Sequence, residues 1–324
     1  MKNLKDCINK NCIKNYVKDC VVESIWDIED NVEDDNKEFI LNEVKKFIED
    51  NYINIKLKSC EIIFNEKEHI YIVNSSQQIN LTLNATQLTN GLFEWGVVDK
   101  DFNCSKSSIT SLQGAPKEVG KSFICFDCKK LTSLEGSPEK VGLSFNCSGC
   151  AKLEVLQGAP EIVKGYFNCI NCAKLKSLEG APEVIGGFFD CSECPKLTSL
   201  EGAPKTVGEG FFCYECENLE SLKGAPEKVG CTFDCQGCPI TSLEGAPKEI
   251  SGSFECANCP KLTTLKGAPK EVGGNFYCYT CPNLTSLEGA PKTVGGNFVC
   301  TECDNLKTLD GIGEVGCKIV SDVE

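Results

Sequence analysis

The sequence predicts a mainly β fold, a solenoid in which short coils of chain stack on one another, and three observations carry that prediction. A phenylalanine recurs at Phe102, Phe123, Phe145, Phe167, Phe189, Phe211, Phe233, Phe254, Phe276 and Phe298, at spacings of 22 residues with two of 21. Around it runs the pattern Val-Gly-x-x-Phe-x-Cys-x-x-Cys-x-x-Leu-x-Ser-Leu-x-Gly-Ala-Pro, with small variations. Self-similarity at a fixed period marks a repeat array, where each unit buries its apolar face only by stacking on its neighbours. The return segment of each unit also holds a proline and two or three glycines within ten residues. Both residue types are costly inside a helix, so the coils are expected to be strand, turn and extended chain.

Taken in order, Phe-x-Cys alternates with the period of a strand and points both named residues inward. Gly-Ala-Pro then turns the chain, and Val-Gly-Gly leads it back. Leu81 and Ile319 extend the phenylalanine series by 21 residues at either end, giving about twelve coils over residues 79–324. Stacked at ~4.8 Å per strand, twelve coils make a rod or shallow arc roughly 55–60 Å long. The final unit, Val315 to Ser321, keeps the strand but drops the cysteine pair, and Asp322 and Glu324 follow as charges that blunt an open edge.

This pattern resembles leucine-rich repeats, whose motif is L-x-x-L-x-L-x-x-N/C-x-L. Phe298-Val299-Cys300-Thr301-Glu302-Cys303 fits L-x-L-x-x-C, and Cys238-Pro239-Ile240 has the C-x-L spacing. Most units carry one extra residue there, and the Val-to-Phe gap is one residue longer than in the family. Tandem units of the type Leu-Thr-Ser-Leu-Glu-Gly-Ala-Pro-Lys-Glu-Val-Gly-Gly look like a repeat family found in bacteriophages and some bacteria. The resemblance covers residues 79–324. It implies a leucine-rich-repeat-like solenoid and, in a phage setting, a host protein as partner; it implies no particular activity.

Residues 1–78 differ in composition and are expected to form a small α+β cap or domain. A short helix is expected over residues 2–20. The acidic run Asp27 to Asp35 reads as a solvated loop. A capping box at Asp35 and Glu38 opens a helix with Ile40, Val44, Phe47 and Ile48 as its apolar stripe. Strands follow at Ile53 to Leu57, Ile62 to Phe64 and Ile70 to Val73. Such a unit either seals the solenoid or binds a partner of its own.

The chain has 324 residues and a formal net charge of -14, and all 33 of its basic residues are Lys. That balance disfavours nucleic acid and anionic membrane and favours basic partners. No apolar run is long enough to span a membrane, and Met1 to Cys7 opens no secretory signal. The expected location is the cytoplasm of a bacterium or phage-infected host, where thiols stay reduced. The single histidine, His69, reads as an ordinary surface residue. With no nucleotide loop, carboxylate pair or nucleophile motif in view, neither an enzyme nor a cofactor is expected.

Nine CxxC pairs, from Cys125/Cys128 to Cys300/Cys303, invite a zinc, iron–sulfur or thiol-redox reading. The repeat explains them better. The first cysteine occupies an apolar core position, taken by Leu83 in the entry coil. The second stands at the family's N/C position, where Thr86 and Ser107 precede it, which suits hydrogen bonding. Sulfurs on tetrahedral zinc lie roughly 3.8 Å apart, closer than coils stacked at ~4.8 Å. Redox CxxC motifs sit at a helix start. Cys7, Cys12, Cys20 and Cys60 have no zinc spacing.

With Phe and Cys inward, the residues between and after them face out. They vary while the core columns barely change, so they read as free of packing constraint. Ile124 with Phe126, Phe212 with Tyr214, and Tyr277 with Tyr279 form exposed apolar or aromatic pairs, and Glu193 and Glu215 stand beside them. These eight residues are the candidate partner-binding set, suited to a protein with basic and apolar character. The competing reading is that β-propensity alone favours aromatics on a strand surface.

Overall fold

The structure, a computed structural model, describes residues 60–65, 70–76, 78–80, 88 and 93–323. The expected helices, the strand at Ile53 to Leu57, and His69, Leu81, Leu83 and Thr86 lie outside them. The two later strands of the N-terminal unit are present. β1 (Cys60–Asn65) and β2 (Ile70–Ser75) pair antiparallel, with Ile62 opposite Val73. β2 then runs parallel to β4 (Phe93–Val98), which joins the hairpin to the solenoid's return sheet.

β3 (Ile79–Asn80) starts the second sheet and pairs with β5 (Phe102–Asn103). Ile79, and not Leu81, therefore stands opposite Phe102. The entry coil is longer than the others because β4 holds six residues where later return strands hold two. Every later coil gives a two-residue strand to each sheet, as Thr206–Val207 and Phe211–Phe212 do. The return sheet has 13 strands and the Phe-x-Cys sheet 12, and those twelve enclose eleven complete turns. Apart from the β1–β2 hairpin, all described strand pairings are parallel, so the chain is a parallel β-solenoid with a 22-residue period.

Strands this short persist because each is hydrogen-bonded on both sides. On the Phe-x-Cys sheet the donors point to the following coil: Phe189 N–H to Gly210 O at 2.9 Å, Cys191 N–H to Phe212 O at 2.9 Å, Glu193 N–H to Tyr214 O at 2.9 Å. On the return sheet they point back, as Gly208 N–H does to Ile185 O at 2.9 Å. The glycine after each valine is what lets the backbones come together. A Cβ on Gly230 would lie 1.8 Å from Gly208 O. The glycine of Gly-Ala-Pro is required for a different reason, since Gly202 turns the chain at φ +87°.

Inside, the ten phenylalanines form one continuous stack with ring centroids 5.1 to 5.5 Å apart. Trp95 meets the first ring, Phe102, edge-on at 5.7 Å. Two leucines and a valine per coil, such as Leu197, Leu200 and Val207, complete a fully buried core. At the other end Ile319 takes the phenylalanine's place and is 47% exposed. There the side chain of Asp322 accepts the Glu302 N–H at 2.6 Å, doing for the last ladder what a carbonyl does in every other coil.

Phe211→Ala is expected to lower stability by about 3–5 kcal/mol, the usual cost of emptying a buried ring's place. Phe298→Ala should cost less, because Phe298 has a phenylalanine on one side only. Denaturant titration of the two variants checks this, and equal losses would show that the stack is not what couples the coils.

Candidate partner-binding face

The cysteines form a ladder of their own. The second thiol of each pair donates to the carbonyl of the first cysteine one coil back: Cys194 Sγ to Cys169 O at 3.4 Å, Cys216 Sγ to Cys191 O at 3.3 Å, Cys238 Sγ to Cys213 O at 3.1 Å. In the middle coils the first-position thiols of Cys169, Cys191, Cys213 and Cys235 reach forward, as Cys169 Sγ does to Asp190 O at 3.3 Å. All eighteen paired cysteines are buried. Burial raises the thiols of Cys169, Cys191 and Cys213, and pushes Cys216 up to about 12. A metal or redox partner would first have to remove the proton that holds each of these bonds.

On the outside, the residue between Phe and the first Cys proves less free than its variability suggests. Asn103, Asn146, Asn168, Asp190 and Asp234 each accept the N–H two residues on, at 2.9 to 3.0 Å. This Asx turn fastens the bend before the second cysteine. Ile124, Phe212, Tyr277 and Val299, in the same column, have no side-chain oxygen that could do so. The residue just before the second cysteine is left-handed, with Glu193 at φ 56° and Glu215 at φ 53°, while Gly149 and Gly237 fill the same place in other coils. A non-glycine residue held there costs on the order of 1 kcal/mol.

The aromatics gather differently from the pairs read in the sequence. Tyr277 and Tyr279 do meet, edge to face at 6.2 Å. Phe212 instead turns over Gly210, where a Cβ would fall 2.5 Å from its Cζ, and meets Phe188 edge-on at 6.0 Å. Phe188 in turn stacks on Tyr166 at 4.7 Å. Tyr166 and Phe188 precede the core phenylalanine, a column that sequence reasoning passed over. In other coils that column carries oxygens that accept the next coil's N–H, such as Ser253 to Asn275 at 3.1 Å and Asn275 to Asn297 at 2.7 Å. An aromatic run thus replaces a hydrogen-bond ladder in the middle of the face. Tyr214 lies beside Asp190 and Glu193, and burial together with their charge raises its phenol. At the N-terminal end Ile124 is half-buried and Phe126 is exposed, with Lys106 Nζ 6.0 Å from the Phe126 ring centroid.

Charge is distributed as unevenly as aromaticity. Between residues 122 and 302 the four outward columns of this sheet hold seven acidic residues and no lysine. Elsewhere on the surface lysines pair with acids from coil to coil, as in Lys205–Glu183 at 2.8 Å and Lys223–Glu201 at 2.7 Å. Of the seven, only Asp127 meets a lysine, Lys129, among the described residues. Asp190 is only 8% exposed, and burial raises its carboxyl above the usual range. Burial does the same to Asp234 and Glu255, and the charge of Asp190 and of Asp234 respectively adds to it.

Two outcomes follow. Cys128 and Cys303 apart, whose thiols a neighbouring cysteine lowers, thiols that burial raises, such as Cys191, Cys213 and Cys216, titrate in the unfolded chain near their ordinary value of 9.0 and later in the folded one. Their contribution to stability is therefore complete below about pH 9 and lost as pH rises beyond it. Denaturant midpoints under reducing conditions should fall steeply above pH 9, and a flat profile would contradict the ladder. Asp190→Asn and Asp234→Asn keep the Asx acceptor, as Asn146 and Asn168 do, and remove an ion that burial disfavours. Because each folded-state carboxyl is raised, its penalty is present at neutral pH and absent in acid. The variants should gain stability at pH 7 and not at pH 3; a loss at pH 7 would mean the charges are compensated in the fold.

No protein-family model matches this sequence, and no curated protein matches it. Among solved structures, the chain is similar to a leucine-rich repeat protein from Bacteroides ovatus at 15% identity, with a TM-score of 0.40 over 83% of this chain and 79% of that one.

Proposed function

We propose that this protein is a non-enzymatic interaction module whose protein partner docks on the outward face of the Phe-x-Cys sheet. The observation that carries this reading is the composition of that face between residues 122 and 302: seven acids and no lysine in a chain with 33 lysines, interleaved with aromatic rings. Such a surface attracts basic and apolar partners and repels nucleic acid and anionic membrane. Its rings are the residue type that dominates binding energy at protein interfaces. No helix among the described residues is long and apolar enough to cross a membrane. Unpaired cysteines buried along the core, most of them with raised thiols, fit a cytoplasmic setting, and the resemblance to phage-encoded repeats makes a host protein the first partner to seek. A zinc, iron–sulfur or redox role for the CxxC columns has less support, since their protons already serve the ladder; stoichiometric zinc or iron in anaerobically purified protein would reverse that preference.

A photo-crosslinking residue placed at Tyr214 or Tyr279 should capture the same basic protein in cells, and one at Ile162, exposed on the return sheet, should not. Tyr277→Ala combined with Tyr279→Ala should weaken the captured complex about tenfold or more. Capture at Ile162 alone, or at none of the three, would reject the face.

A further inference from the structure

We propose that the middle of this face seats an arginine side chain of the partner, with its guanidinium laid on Phe212 beside Phe188 and flanked by Asp190 and Asp234. The proposal rests on docking to this sheet and adds which coils carry recognition and what chemistry they recognise.

The register sets the three residues side by side. Phe212 pairs with Asp190 on one neighbouring strand and with Asp234 on the other, so the residue that bears the ring stands between the two that bear carboxylates. Glu255 continues the column, and Gln236 Nε2 ties it in with a 2.6 Å bond to Glu255 Oε2. Gly210 leaves the space into which the Phe212 ring leans, and Phe188 backs that ring edge-on. The seat is therefore an aromatic platform in an acidic column, with no lysine among the described residues to fill it.

Three independent features point to a cation. The carboxylates of Asp190 and Asp234 are partly withdrawn from water and pair with no lysine among the described residues, a state that an arriving positive charge relieves. Asp190, nearly buried, supplies field, and half-buried Asp234 supplies contact. Tyr166 and Phe188 stand where other coils use hydrogen-bonding side chains, so packing within the sheet does not require rings there. The same face also shows the interaction once within the chain, where Lys106 approaches the Phe126 ring. Arginine fits the central seat better than lysine. Its planar group can stack on a ring and still direct N–H donors sideways to a carboxylate, which a compact ammonium cannot do at once.

Fluorescence anisotropy with labelled hexa-arginine and hexa-lysine peptides at low ionic strength tests this on the full chain. Hexa-arginine should bind about threefold or more tightly than hexa-lysine. Phe188→Ala with Phe212→Ala should erase that preference, and Asp190→Asn with Asp234→Asn should weaken both peptides about tenfold. Ile162→Ala, on the exposed return sheet, should leave hexa-arginine binding within about twofold of wild type, as expected for a residue remote from the seat. Thermal midpoints show whether each variant is folded, and the aspartate pair is expected to be the more stable protein. No saturable binding, equal affinity for both peptides, or indifference to the rings would overturn the arginine seat. In those cases crosslinks at Tyr214 and Tyr279 to one basic protein would still stand for the docking face, whereas their absence would remove the face itself.

Discussion

The backbone ladder that joins each coil to the next is the constraint on which everything else depends. It spaces equivalent residues by one strand separation, ~4.8 Å, and whatever occupies a column must repeat at that interval. Phenylalanine does so as an offset stack, with centroids at 5.1 to 5.5 Å, inside the range where aromatic pairs attract. Cysteine suits the next inward columns because it is small, apolar and still a donor. Leucine there could not reach the carbonyls that Cys216 and Cys238 satisfy, and serine would carry a stronger polar group into a dry core.

Outside the core the same ladder sets duties that are easy to mistake for freedom. Asn168 and Asp190 hold their own bends, Asn275 and Asn297 serve the next coil, and Glu193 and Glu215 endure a left-handed backbone that glycine accepts without cost. Several of the places where these duties are abandoned lie together in the middle coils. Tyr166, Phe188 and Phe212 give up hydrogen bonding, and Asp190 and Asp234 keep charges where asparagine would serve the fold as well. Local departures from what a fold prefers, concentrated on one surface, are where function is expected to sit.

Much of this was legible in the chain. The phenylalanine period gave the strand, its register and the coil count, because an array with one core repeats its constraints in its letters. The cysteine ladder could be anticipated from Ser107, which stands in the same column and is likewise a donor. The entry coil could not be read: Ile79 and Leu81 are both apolar, and only the six-residue β4 decides between them. Nor could the aromatic run. Tyr166 and Phe188 lie one residue before the recurring phenylalanine, and only the small Gly210 lets the Phe212 ring cross to them. Whether a residue in an outward column binds a neighbour or awaits a partner depends on contacts between coils, which no single repeat records.

The near-identity of the inward columns has a genetic corollary. Excising one 22-residue unit, or copying one, rejoins a phenylalanine to a phenylalanine and a thiol to its carbonyl, so the core closes over the splice. The outward residues are not interchangeable in this way. Loss of the unit from Phe189 to Gly210 would bring Asn168 beside Phe212 and remove Asp190 from that ring's flank. Unequal recombination between repeats can therefore redraw the face in steps of one strand while the scaffold stays sound.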